Sequence, residues 1–212
     1  MNTSTDTLAV DVALIPPGPV IDEAIRINRA LLAGNSAGEI RLGRQACIPH
    51  ITVAMAAVRR ENLGEVEAAV GRIARHCTPM TLTIDAIEHS AISTGERVSA
   101  FHVLRPEIIQ LFHKTVMSTV SRYTVPEAAP EMFADETVSP SSADCLRGFR
   151  ERSSFAQYSP HITLGFGEIE PYLPGLDFPL RFEATRVAIC HLGNHCTCKE
   201  ILAEFELKRN GR

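Results

Sequence analysis

The chain has 212 residues, 45% of them hydrophobic and 22% charged, with a net charge of −4. That length suits one domain or two small lobes sharing a core, and the mildly acidic balance excludes a protein that coats long DNA or RNA, which needs a dense basic surface. MNTSTDTLAV has no basic run ahead of an apolar stretch, and no segment reaches about eighteen uninterrupted apolar residues, so neither secretion nor a membrane span is expected.

Residues 7–15, TLAVDVALI, are rich in Val, Leu and Ile and predict a strand, stopped by Pro16-Pro17-Gly18-Pro19. Residues 20–33 place Ile21, Ala24, Ile25, Ile27, Leu31 and Leu32 at helical spacing, with Gly34-Asn35 as the stop signal. A short strand is expected around 38–42, and a strong one at 49–58, PHITVAMAAV. Residues 61–76 read as a helix with Leu63, Val66, Val70 and Ile73 on one side. Strands at 80–88 and 97–104 follow, joined through Ser93-Thr94-Gly95. Residues 106–122 open on Pro106 and carry an apolar stripe, again a helix.

The segment 123–145 holds Pro126, Pro130, Pro140, several acids and consecutive serines, and reads as a long surface loop, closed by a short helix at 143–151. PHITLGFG at 160–167 predicts a strand. Residues 182–192 and 201–207 predict the last two, paired as a hairpin through 193–198. Strands in hairpin-like neighbours with interspersed helices favour an α+β fold of antiparallel or mixed sheets. No Gly-rich dinucleotide fingerprint and no phosphate-loop signature is present.

One pattern recurs. Residues 48–53 read IPHITV and residues 159–164 read SPHITL, in opposite halves of the chain. Side chains alternate along a strand, so His50 and Thr52 share one face, and His161 and Thr163 do likewise. Ile51, Val53, Ile162 and Leu164 anchor the opposite faces. If the two strands meet at one cleft, they present two imidazoles and two hydroxyls to it. That set suits phosphoryl chemistry at a ribose. A neutral imidazole takes a proton from the attacking oxygen, and an imidazolium gives one to the leaving oxygen. Threonine hydroxyls donate to the phosphoryl oxygens, and no metal cofactor is required when the leaving group is protonated directly.

The paired H-Φ-T-Φ motifs, with Φ apolar, resemble those of the 2H phosphoesterase superfamily, which includes the 2′-5′ RNA ligase and cyclic phosphodiesterase families. The resemblance implies a two-lobed, pseudo-symmetric α+β fold with flanking helices around a central cleft, formed by residues 1–212 as a single bilobal domain. It implies His50 and His161 as general base and acid, in an order left open, with Thr52 and Thr163 on the phosphoryl group. The activity implied is opening of 2′,3′-cyclic phosphates, or cleavage or formation of 2′-5′ phosphodiester bonds. Its partners would be RNA ends, short oligonucleotides or cyclic nucleotides. The segment 123–156 departs from a minimal member as a loop insertion before the second motif.

Other residues invite assignment. Arg147, Arg150 and Arg152 could hold a second phosphate, since a guanidinium offers a planar fork, or they could be solvated helix residues. Phe155 and Tyr158 could stack on a base or belong to the core. CHLGNHCTC at 190–198 offers Cys190, His191, His195, Cys196 and Cys198, but not the two separated couples of a structural zinc site. Cys47, Cys77 and Cys145 complete the six cysteines, all expected as free thiols in a cytoplasmic monomer. His102 and His113 carry no partner pattern, and His113 reads as a helix-face residue. The rival to an enzyme is a nucleotide- or RNA-end-binding module on the same scaffold.

Overall fold

A computed structural model describes residues 6–34, 40–91, 95–169 and 175–208. The apolar run Thr7–Ile15 forms strand β1, and helix α1 follows at Gly18–Gly34. The first motif opens β2, Ile51–Arg59, and helix α2 spans Leu63–Arg75. Strands β3 (Met80–Ala91) and β4 (Arg97–Val103) precede helix α3 (Glu107–Val120). A two-residue strand β5, Thr124–Val125, and helix α4, Pro140–Arg152, lead to β6, His161–Phe166, which begins on the second motif histidine. Strands β7 (Leu180–Ala184), β8 (Arg186–Leu192) and β9 (Cys198–Glu206) complete the chain.

The strands form two sheets, ordered β5-β2-β1-β8-β9 and β6-β4-β3-β7, with every pairing antiparallel. Each motif therefore lies in a different sheet. Helices α3 and α4 pack on β2, and α1 packs on β6. No helix among the described residues is long and apolar enough to cross a membrane.

Strand β1 is buried on both faces. Leu8, Val10, Val12 and Leu14 join the main core. Ala13 and Ile15 pack with Ile21 and Ile25 of α1, while Ala9 packs with Met132, Phe133, Ala143 and Leu146. The segment 123–145 is thus no free surface loop. Its prolines and serines signal irregular backbone, but its apolar residues roof one end of β1, and α4 begins at Pro140 rather than 143.

Three further expectations change. Residues 40–42 are irregular rather than strand, and 38–39 lie outside the described residues, as do 93 and 94 of the expected turn. The run 182–192 is two strands, because the chain leaves one sheet and joins the other at Thr185. Cys190 on β8 and Cys198 on β9, offset across the hairpin with their Cα atoms 5.4 Å apart, form a disulfide, so they are not free thiols. Cys47, Cys77, Cys145 and Cys196 are free.

Asn28 of α1 bolts the halves together. It is 1% exposed and donates to the carbonyls of Ile40, 2.9 Å away, and Leu164, 2.8 Å away, while Leu42 donates to its Oδ1 at 3.0 Å. The approach to β6 requires a glycine. Gly165 has φ +141°, and a Cβ there would lie 2.8 Å from Asn28 Nδ2. Replacing Asn28 by alanine strands three buried backbone groups, and a loss of about 2–4 kcal/mol is expected. Urea unfolding measures it, and an unchanged midpoint would refute this role.

Candidate active site

Proline places each motif histidine. A residue before proline is held extended, so the carbonyls of Ile48 and Ser159 are fixed ahead of Pro49 and Pro160. His50 Nδ1 lies 2.7 Å from Ile48 O, and His161 Nδ1 lies 3.0 Å from Ser159 O. A carbonyl only accepts, so Nδ1 carries the hydrogen in both rings. Each Nε2 is then the atom left for other chemistry. The expected alternation holds: Ile51, Val53, Ile162 and Leu164 are fully buried, whereas the two histidines and Thr52 and Thr163 are not.

All four side chains line one cleft of about 870 Å³ between the sheets. Its floor on the second sheet continues from His161 to His102 on β4 and from Thr163 to Ala100, the residues paired in register. His102 is itself held at 2.6 Å by Asp85.

The two copies are not electrostatically equivalent, and the cause is Asp11. This residue, 0% exposed in the middle of β1, lies between the two small clusters on that strand's odd-numbered face. Its Oδ2 accepts from Thr52 Oγ1 at 2.7 Å and lies 3.3 Å from His50 Nε2. Its Oδ1 has no hydrogen-bond partner among the described residues. A buried carboxylate is costly without a counter-charge, and the His50 imidazolium supplies one. Burial pushes the His50 pKa down, but the hydrogen bond and charge of Asp11, with the Ile48 carbonyl, outweigh it, and the net shift is upward. His161 has no carboxylate partner among the described residues. The crowding of protein around its ring lowers its pKa, and the nearby positive charge of His50 lowers it further, against the Ser159 carbonyl. In the pH window between the two displaced values His50 therefore keeps its proton while His161 is the neutral ring with a lone pair on Nε2.

The remaining sequence candidates separate. Arg152 lines the cleft, with its guanidinium on Asp144 at 2.8 Å. Arg147 instead donates to Ala128 O at 3.0 Å, and Arg150 donates to Ser121 Oγ and covers the Phe155 ring. Neither of these arginines, nor Phe155, is part of the cleft lining. Tyr158 reaches the cleft edge but is only 3% exposed. Its ring stacks on His113 at 3.9 Å, and its hydroxyl donates to Thr52 O at 3.0 Å. Burial keeps the phenol protonated by raising its pKa, so it orients the Thr52 backbone and offers no open face to a base. His113 is not a helix-face residue. It is fully buried, Nδ1 donates to Val53 O at 2.7 Å, and Nε2 accepts from the Phe155 amide at 2.8 Å. In the 190–198 run, Cys190 and Cys198 are joined to each other, and His191 Nε2 donates to Met132 O at 2.9 Å. Asp11 was missed by sequence reasoning. Its signal is a single acid inside an otherwise apolar strand.

The sequence matches no protein-family model and no curated protein. In three dimensions the chain is similar to TT0787 of Thermus thermophilus, with a TM-score of 0.64 at 17% identity over 96% of this chain and 100% of that one. It is similar to E. coli LigT complexed with 3′-AMP, with a TM-score of 0.58 at 17% identity over 97% and 100%. A structure described as a phosphoesterase gives a TM-score of 0.50 at 16% identity over 95% and 99%. The chain has the LigT-like α+β fold, the bilobal architecture that resemblance to the 2H phosphoesterases implies.

The Asp11 effect is measurable without substrate. In an NMR titration His50 should protonate above, and His161 below, the ordinary imidazole value of about 6.5. Asp11→Asn removes the negative charge that favours the imidazolium, so the His50 midpoint should fall. Equal midpoints for the two rings in the unmodified chain would contradict the asymmetry.

Proposed function

We propose that the chain is a metal-independent phosphoesterase acting on 2′,3′-cyclic phosphate ends or 2′-5′ phosphodiester bonds of RNA or small nucleotides. The observation that carries this reading is the pair of motif imidazoles on one cleft, each fixed through Nδ1, with pKa values displaced in opposite directions. Nucleotide complexes of E. coli LigT, with 3′-AMP, ATP and NADP+, support a nucleotide as the ligand class.

His161 is the base and His50 the acid in hydrolysis. Nε2 of His161 takes a proton from water as its oxygen attacks phosphorus. The bond from phosphorus to a ribose oxygen breaks, and that oxygen receives the Nε2 proton of His50. Asp11 keeps His50 charged until the leaving oxygen develops negative charge. Thr163 and Thr52 hold the non-bridging oxygens, the latter by turning its proton from Asp11 towards the phosphoryl group. Arg152 is the cleft cation available for a further phosphate. In the reverse direction the two histidines exchange roles.

A second reading, a nucleotide- or RNA-end-binding module without turnover, draws on the resting contacts. Thr52 donates to Asp11 and His50 Nε2 lies beside it, so both groups are engaged within the protein. Turnover of 2′,3′-cyclic nucleotides and a 2′-5′-linked dinucleotide, measured with chelator present, separates the two. The enzyme reading expects His50→Ala and His161→Ala each to lower kcat by about 10²–10⁴-fold. Binding without turnover, unchanged in both variants, would favour the module.

The rate should follow a bell in pH. It rises as His161 loses its proton, below the ordinary imidazole value, and falls as His50 loses its own, above that value. Asp11→Asn should move the alkaline limb towards acid more than the acid limb. A rate that climbs monotonically into strongly alkaline solution would sink the assignment.

A further inference from the structure

Two free thiols meet in the cleft wall. Cys145 is on α4, and Cys196 is in the turn between β8 and β9. Both are half-buried and both line the cleft, and Cys196 Sγ lies 3.8 Å from the carbonyl oxygen of Ser142, one turn of α4 before Cys145, whose side chain leans back towards that turn. We infer that Cys145 and Cys196 form a reactive dithiol that hydroperoxides oxidise to an intramolecular disulfide beside the histidine cleft.

The turn that presents Cys196 is built rather than slack. His195 and Cys196 have φ +56° and +55°, the left-handed region that is costly for a non-glycine residue and persists only where the surroundings impose it. Side-chain contacts around the turn impose it here. Asn194 N donates to Asp135 Oδ2 at 2.8 Å, and Asp135 pairs with Lys199 at 2.7 Å. His195 N donates to Ser142 Oγ at 2.8 Å, and Cys196 Sγ lies 3.8 Å from Ser142 O, one turn of α4 before Cys145. The Cys190–Cys198 disulfide closes the base of the same hairpin. Backbone and helix are thereby locked in a position that brings the two sulfurs together.

The surroundings also divide the roles. When Cys145 ionises, the Cys196 thiol can turn from Ser142 O to donate to it, which lowers the Cys145 pKa against burial, and the Arg152 guanidinium lowers it further. The same contact, with burial, pushes Cys196 well up. Cys145 is the nucleophile and Cys196 the proton holder. The Cys145 thiolate attacks one peroxide oxygen. The S–O bond forms, the O–O bond breaks, and the departing oxygen takes a proton to leave as water or an alcohol. The Cys196 sulfur then attacks the sulfenic sulfur. The S–S bond forms, the S–O bond breaks, and hydroxide leaves with the Cys196 proton as water. Two thiols lose two electrons, and one peroxide is reduced.

The test is covalent and independent of phosphoesterase activity. The full chain is treated with hydrogen peroxide, alkylated and mapped by mass spectrometry without reduction. The expected product joins the Cys145 and Cys196 peptides, two hydrogens lighter, reverts with dithiothreitol, and leaves Cys77 free. In Cys196→Ala, alkylation of Cys145 by iodoacetamide should slow by about tenfold, since its hydrogen-bond donor is gone. Circular dichroism on that variant checks that the fold persists. Unmodified thiols, a sulfinic acid without the cross-link, or pairing of Cys145 with another cysteine would overturn the inference.

Discussion

Neither sheet alone contains the site. His50 and Thr52 belong to the β2 side and His161 and Thr163 to β6, so the chemistry exists only where two separate sheets are locked in one arrangement. Two buried polar side chains do the locking. Asn28 ties α1 and the segment before the first motif to the Leu164 carbonyl in the second. His113 bridges Val53, one residue past Thr52, to the Phe155 amide ahead of the second motif, and stacks on Tyr158, which bonds Thr52. Groups with directional bonds suit this task better than aliphatic packing, because apolar contact tolerates sliding and hydrogen bonds do not. Burial lowers the His113 pKa, which keeps it neutral and able to accept and donate at once.

Two copies of one motif do not make two equal histidines. The local geometry repeats closely: a proline, a carbonyl two residues upstream of the imidazole, and an alternating strand. The surroundings break the symmetry. The first copy neighbours β1 and its carboxylate, and the second neighbours β4, with no carboxylate in contact among the described residues. The two imidazoles are thus differentiated by a side chain outside either motif, and the acid and base roles proposed for them rest on that difference.

The paired motifs and the alternation of their strands are legible in the sequence because both are local patterns. The strand at 7–15 was readable for the same reason, yet the meaning of Asp11 within it was not, since its partners are 39 and 41 residues away. His113 and Tyr158 look ordinary in isolation because what they touch depends on how α3 crosses β2. The segment 123–145 misleads in the other direction. Its prolines and serines dominate the composition, while Met132, Phe133 and Leu146 decide where it lies. The Cys190–Cys198 bond depends on how two irregularly registered strands bring residues that are not directly opposite to within reach.

The break at Thr185 bears on how a substrate enters. Strand β7 belongs to one sheet and β8 to the other, with a single residue between them and the Leu207 amide bonded to the Thr185 carbonyl at 2.8 Å. A connection that short leaves no slack for the lobes to swing apart, unlike two-domain enzymes that open about an interlobe hinge. Under the activity proposed above, ligands would come and go along the cleft's open rim, discrimination between them would fall to side chains on that rim, and turnover would carry no large closure step.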